Sequence, residues 1–211
     1  QEIVTTASAQ NGTVLAWASL RMRDVEAVCQ TAVDQNPLAL EYCSVRWRGD
    51  KEFVLPVVAR NGQALAFAME TLKRDREVVL AAVSECGLAL PEASSELRAD
   101  REVVLAAVEQ DGHALLAASA EMRRDHGIVT AAVGQCGQAL VYALDGQIQE
   151  RTIVLAAVAQ DGMALLHAPP ELRSDREVVT KAVMQNGAAL QYAAYELRSD
   201  CEVALAAIGQ N

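Results

Sequence analysis

His113, His126 and His167, five cysteines and the Asp-Gly pairs at 111 and 161 are the residues of this chain whose types suit proton transfer, nucleophilic attack or metal binding. Asp111-Gly112-His113 alone sets an acid and an imidazole close together, and no cysteine or serine stands at motif spacing from a base. Asp111 and Gly112 also have structural work at the end of a helix. The histidines fall at unrelated places, and the Asp-Gly pairs at 111 and 161 lack the alternating oxygen ligands of a calcium loop. The cysteines are odd in number and lack paired spacing, so neither a disulfide framework nor a zinc site is expected. Cys86 and Cys136 share a repeat position two units apart, roughly 20 Å at a helix spacing of about 8–10 Å, which is too far to bridge. Cys29 and Cys43 occupy columns otherwise filled by Val and Ala and read as small buried, reduced thiols. The expectation is a chain with no catalytic residue, no metal and no cofactor, and not an enzyme.

The elements that hold these residues repeat. Glycine stands at 12, 62, 87, 112, 137, 162 and 187, a 25-residue beat whose one gap, at 37, holds Pro37. Such a period marks units that each leave an apolar face for the next to cover. In the unit from Asp75 to Ala99, Asp75 is an N-cap, and Val78, Val79, Ala82 and Val83 share one helical face. Gly87 is expected as a left-handed residue that ends this helix A. On that reading Pro37 forces a different helix ending in the second unit and less regular stacking in the N-terminal units.

A short helix B follows, with one leucine per unit at 15, 40, 65, 90, 115, 140, 165 and 190 between small residues. Pro169-Pro170 must end it, which leaves the Glu-Leu-Arg segment as a tight or 3-10 turn whose Leu97 column plugs the core. Pro56 should kink its helix, and Leu144–Glu150, which lacks the Glu-Leu-Arg turn, should form a rewired corner. The fold class expected is all-α: an α-solenoid of about eight such repeats in a single array over 1–211. Its units end helix A near 12, 37, 62, 87, 112, 137, 162 and 187, and a terminal helix covers 200–211. Both ends cut the repeat at the limits of one helix, so a processed or truncated chain is expected.

The composition, 52% hydrophobic but 4% aromatic, calls for a core of Val, Leu and Ala. A formal net charge of −10 disfavours nucleic acid and anionic membranes as partners, and no apolar run is long enough to span a bilayer. A water-soluble acidic protein is expected.

Residues 175 to 198, Asp-Arg-Glu-Val-Val-Thr-Lys-Ala-Val-Met-Gln-Asn-Gly-Ala-Ala-Leu-Gln-Tyr-Ala-Ala-Tyr-Glu-Leu-Arg, carry a motif that resembles the domain of unknown function 4116. The resemblance covers essentially the whole chain. It implies tandem repeats of an algal and protist type with no activity assigned. It also brings in an accessory or structural subunit of a large algal assembly, with the plastid as its compartment.

The columns that break the monotony are the candidates for binding. On a helical wheel, one flank of helix B carries Trp17, Tyr42, Phe67, Glu92, Ala117, Tyr142, His167 and Tyr192, a row of rings suited either to a partner or to capping the edge of the core. The position before it, pointing outward, is Leu116, Val141 and Leu166 in units five to seven, with Met163 nearby. The basic column Arg23, Arg48, Lys73, Arg98, Arg123, Arg173 and Arg198 is hemmed by acids and reads as ties between turns. The Gln column at 10, 35, 110, 135, 160, 185 and 210 reads as a structural ladder to the following turn. Together these point to a non-catalytic scaffold that binds another protein through the helix B face, with no small-molecule substrate evident; a structural subunit of a large complex is the alternative.

Overall fold

The computed structural model describes residues 2–144 and 146–209, and among these there is helix and no strand. Helix A of the successive units forms α1 (Glu2–Gln10), α2 (Glu26–Gln35), α3 (Lys51–Val58), α4 (Arg76–Glu85), α5 (Arg101–Gln110), α6 (His126–Gln135), α7 (Arg151–Gln160), α8 (Arg176–Gln185) and α9 (Cys201–Ile208). The last is the expected terminal helix; Gln210 and Asn211, like Gln1 and Asp145, lie outside the described residues. The chain divides into two compact units, Gln1–Gln110 with α1 to α5 and Asp111–Asn211 with α6 to α9, and each is an all-α stack of repeats.

Where an aspartate stands just before helix A, its carboxylate caps the first turn. Asp75, Asp100, Asp175 and Asp200 each accept from two first-turn amides, for example Glu77 N at 3.0 Å and Val78 N at 3.3 Å for Asp75. A cap of this kind stabilises a helix by about 1 kcal/mol. Where the acid is displaced, as Asp24 is, Val25 takes the cap position and gives no side-chain bond. The buried stripe is the one the spacing predicts: Val78, Val79, Ala82 and Val83 in α4, with the same columns buried in α5 to α8. Leu15, Leu40, Leu65, Leu90, Leu115, Leu140 and Leu165 are fully buried, each contributing about 2 kcal/mol of hydrophobic stabilisation.

Helix B is not an α-helix. In each unit it is a six-residue 3-10 helix that opens at the beat, such as Gly62–Phe67 or Gly137–Tyr142. Three residues per turn place the fourteenth and seventeenth positions of a unit, Leu88 and Pro91 in the unit that opens at Asp75, on one outward face. Pro169 and Pro170 follow the end of Gly162–His167 as expected, but Pro170 then opens a one-turn α-helix, Pro170–Arg173. The third segment is a three-residue 3-10 turn in some units, such as Leu97–Ala99, and one α-turn in others, such as Val45–Arg48.

The beat glycines are not left-handed. Gly146, at φ 70°, is the only described glycine with positive φ, and it makes the rewired corner of the sixth unit. Helix A instead ends at the residue before the beat, which is extended, as in Cys86 at φ −140° and ψ 101°. Glycine is required because the next unit comes too close. A Cβ on Gly62 would lie 2.1 Å from the carbonyl oxygen of Ala82, and one on Gly137 would lie 2.4 Å from that of Ala157. The alanine column below completes the fit, since it lets helix A of one unit seat against helix B of the unit before.

The same contact carries a hydrogen bond. Gly137 N donates to Gln160 Oε1 at 2.6 Å and Gly162 N to Gln185 Oε1 at 2.6 Å, while Gln160 Nε2 donates to Gln135 O at 3.1 Å. Gly12 and Gly87 pair in the same way with Gln35 and Gln110, and Glu85 accepts from Gly62. The glutamine column is thus a ladder, but each rung reaches back to the preceding unit rather than forward.

Pro37 fits this scheme as a matched exception. Asn36 ends α2 at φ −145° and ψ 108°, like its equivalents, so the second helix does not end differently; Pro37 simply takes the first 3-10 position, where its fixed φ is acceptable. Its missing N–H meets no glutamine, because the partner column holds Arg60, which bonds Asp34 instead. Its ring also occupies the space that glycine leaves open. Val57 replaces the usual alanine opposite, and α3 stands farther from α2 than neighbouring helices do elsewhere in this unit. Less regular N-terminal stacking is therefore found at this joint. Pro56 lies on the exposed side of α3, which is shortened to eight residues.

Candidate functional site

The outward face of the 3-10 helices is where side chains leave the scaffold. In the Asp111–Asn211 unit, Leu116, Val141 and Leu166 occupy the same column of successive helices and are 59%, 47% and 48% exposed. His113, Gln138 and Met163 share that face one 3-10 turn earlier, with Met163 half-buried. In the Gln1–Gln110 unit the same face carries exposed Leu88 and Pro91.

The aromatic flank behaves differently. Trp17 stands 90% exposed, whereas Tyr42, Phe67, Tyr142 and Tyr192 are half-buried. Tyr42 lines a shallow groove of about 340 Å³ with Arg23 and Arg48, and Tyr192 lines one of about 230 Å³ with Arg173. The rings mostly close the edges of the stack. Burial also pushes the His167 imidazole below its ordinary range.

The basic column of Arg23 does not tie units together through its side chains as expected. Arg23 folds back on its own unit, donating from Nε to Ala18 O at 3.1 Å and from Nη2 to Ala16 O. Its backbone makes the link between units, since Ser44 N donates to Arg23 O at 2.8 Å and Ala194 N to Arg173 O at 2.9 Å. Lys73, which reaches Glu92 at 3.0 Å, is the exception. The charged rungs come from a column the sequence reading missed, the residue just after each cap. Lys51 pairs with Asp75 and Glu77, both at 2.8 Å. Arg76 pairs with Asp100 and Glu102, Arg151 with Asp175 and Glu177, and Arg176 with Asp200 and Glu202. Where Glu150 replaces the cap Asp, His126 replaces the arginine and meets Glu150 at 2.8 Å. The signal was available, because these bases stand at a 25-residue beat of their own.

One constellation brings a base to a cysteine across neighbouring repeats, at a separation that no sequence motif marks. Asp111 Oδ1 accepts from His113 N at 2.9 Å and contacts His113 Nδ1 at 3.0 Å, and His113 Nε2 lies 3.5 Å from Cys136 Sγ. The Tyr142 ring stands edge-on to the imidazole, with centroids 6.3 Å apart. Cys136 belongs to the column of Asn and Asp caps of the 3-10 helices, and like Cys86 it makes no cap hydrogen bond. His113 and Cys136 are 23 positions apart, in different columns of neighbouring repeats, which hid their pairing. The described residues contain no group of three or more His, Cys, Asp or Glu arranged to hold a metal ion, and no described helix is long and apolar enough to cross a membrane.

A 25-residue helix, 3-10 helix and turn, repeated and stacked in this way, defines an α-helical repeat protein. The chain belongs to the family described as Domain of unknown function (DUF4116), whose model matches residues 26–73, 75–123, 100–145, 150–198 and 175–211. No curated protein and no solved structure matches it.

Proposed function

We propose that this chain is a non-catalytic scaffold that holds a partner protein on the outward face of its 3-10 helices, anchored by Leu116, Val141 and Leu166. The observation that carries the reading is the repetition of an exposed aliphatic side chain at one position of three successive units. A solvated face has no use for such residues, and their burial against an apolar surface is the main source of gain in protein association. Because the position of each is set by the fully buried leucine beside it, Leu115, Leu140 or Leu165, the row is presented by a rigid backbone at low ordering cost. Met163 and Tyr142 extend it at the edges. The chain's formal net charge of −10 favours a partner with basic residues at the rim.

The test begins with gentle native purification and identification of what accompanies the chain. The triple variant L116S/V141S/L166S is then compared with the unaltered chain for binding of that partner. The helical circular dichroism should be unchanged, since all three side chains are exposed, and the affinity should fall by at least about a hundredfold, three anchors at about 1 kcal/mol or more each. Unchanged affinity refutes the docking face. A chain that aggregates without its partner favours a permanent structural subunit over a scaffold.

A further inference from the structure

We propose that Cys136 is a thiol-modification site, activated by His113 and Asp111, that reacts with disulfides of small thiols. Asp111 Oδ1 is held in place by its cap bond to His113 N, and the same oxygen faces Nδ1 of the ring. The carboxylate therefore fixes the tautomer with the proton on Nδ1 and leaves the Nε2 lone pair toward the Cys136 thiol at 3.5 Å. The thiolate is the nucleophile in exchange chemistry, and an imidazole nitrogen within reach of the thiol can take its proton as the sulfur attacks. Cys136 is half-exposed and His113 exposed, so a small disulfide can reach the sulfur.

The step balances without a further reagent. Cys136 Sγ passes its proton to His113 Nε2, and the thiolate attacks one sulfur of the disulfide. The Sγ–S bond forms as the S–S bond of the reagent breaks, and the departing thiolate takes the proton back from Nε2. The net change is one protein thiol and one disulfide converted to a mixed disulfide and one free thiol.

The fold supplies its own control. Cys86 sits in the same column, is half-exposed, and has nearly the same backbone, φ −140° and ψ 101° against −142° and 109°. The residues at the places of Asp111 and His113 are there Asn61 and Gln63, which provide no base. Cys29 and Cys43 are buried, with the Cys43 thiol pushed up by its hydrogen-bonded neighbour Cys29 and by burial, while Cys201 is exposed with no such pair.

The experiment treats the full chain with oxidised glutathione near neutral pH and follows each cysteine by peptide mass mapping. Cys136 should form the mixed disulfide about tenfold or more faster than Cys86. H113Q should bring Cys136 down to the rate of Cys86; glutamine already stands at this position in other units, at 63 and 138, so the fold accepts it. The double variant N61D/Q63H should transfer the fast reaction to Cys86. Equal rates at the two cysteines, or a Cys136 rate unmoved by H113Q, overturns the proposal. Labelling of both peptides after denaturation shows that the thiols were present and reduced.

Discussion

Gly134 and Gly137 are three residues apart and should respond to alanine with opposite signs. Gly137 approaches helix α7 so closely that an added Cβ would stand 2.4 Å from Ala157 O and 3.0 Å from Asp161 Cβ, about 1 Å short of ordinary contact. Neither obstacle is a flexible side-chain end, so α7 must move away. Overpacking of this kind costs about 1–3 kcal/mol, and the displacement also stretches the Gly137 N to Gln160 bond, worth about 1 kcal/mol. We expect G137A to lose about 2–4 kcal/mol, or roughly 5–10 °C in Tm for a chain of this size. Gly134 is inside α6, on its exposed side, with no atom within 4 Å of the Cβ position. There alanine restores helix propensity, and G134A should gain about 0.5–1 kcal/mol. Urea titration followed by far-UV circular dichroism measures both, with hydrogen exchange in α6 and α7 to show which joint opens. If G137A is neutral, or moves in the same direction as G134A, steric approach is not why the beat is glycine.

Three other perturbations probe the joints. Q160A removes both the acceptor for Gly137 N and the donor to Gln135 O, and should cost about 1–2 kcal/mol in urea unfolding. P37G and R60Q should each destabilise or be neutral alone, while the double variant rebuilds the Gly–Gln rung, so a double-mutant cycle should show favourable coupling of about 0.5–1 kcal/mol; additivity would refute the pairing. Asp75, Asp100 and Asp175 are held below the ordinary carboxylate range chiefly by Lys51, Arg76 and Arg151, and Asp200 first by the amide of Val203 and then by Arg176. A folded state that binds the proton more weakly than the unfolded chain has this contribution in full above the unfolded value of about 3.9 and loses it as pH falls through the lower folded values. Urea midpoints should therefore drop as pH is lowered past about 4, and D175N should flatten that drop.

The period, the caps and the buried stripe could be read from the residues because each is a property of one unit. Asp75, Val78 and Leu90 show their roles within a few positions of themselves. What stayed hidden depends on how one unit meets the next. A left-handed turn and a close approach both select glycine, and only the position of Ala157 O against Gly137 separates them. The 3-10 form of helix B was invisible for another reason, since six residues cannot display the difference between three and 3.6 per turn. His113 and Cys136 stand 23 positions apart, the same offset as Gly137 and Gln160. Once one such rung is known, the others follow from counting. Leu116, Val141 and Leu166 are exposed as the wheel placed them, because the leucine beside each fixes the core direction whichever helix type is assumed.

The rungs also bear on synthesis. Among the described residues, the side-chain bonds between repeats run from 19 positions, Lys73 with Glu92, to 26, Arg76 with Glu102. A longer chain of the same units would add contacts but none more distant along the sequence, so its relative contact order would fall with length and the loop-closure cost of each step would stay constant. Each unit can lock onto its predecessor as soon as the following residues leave the ribosome, without waiting for a distant segment to arrive.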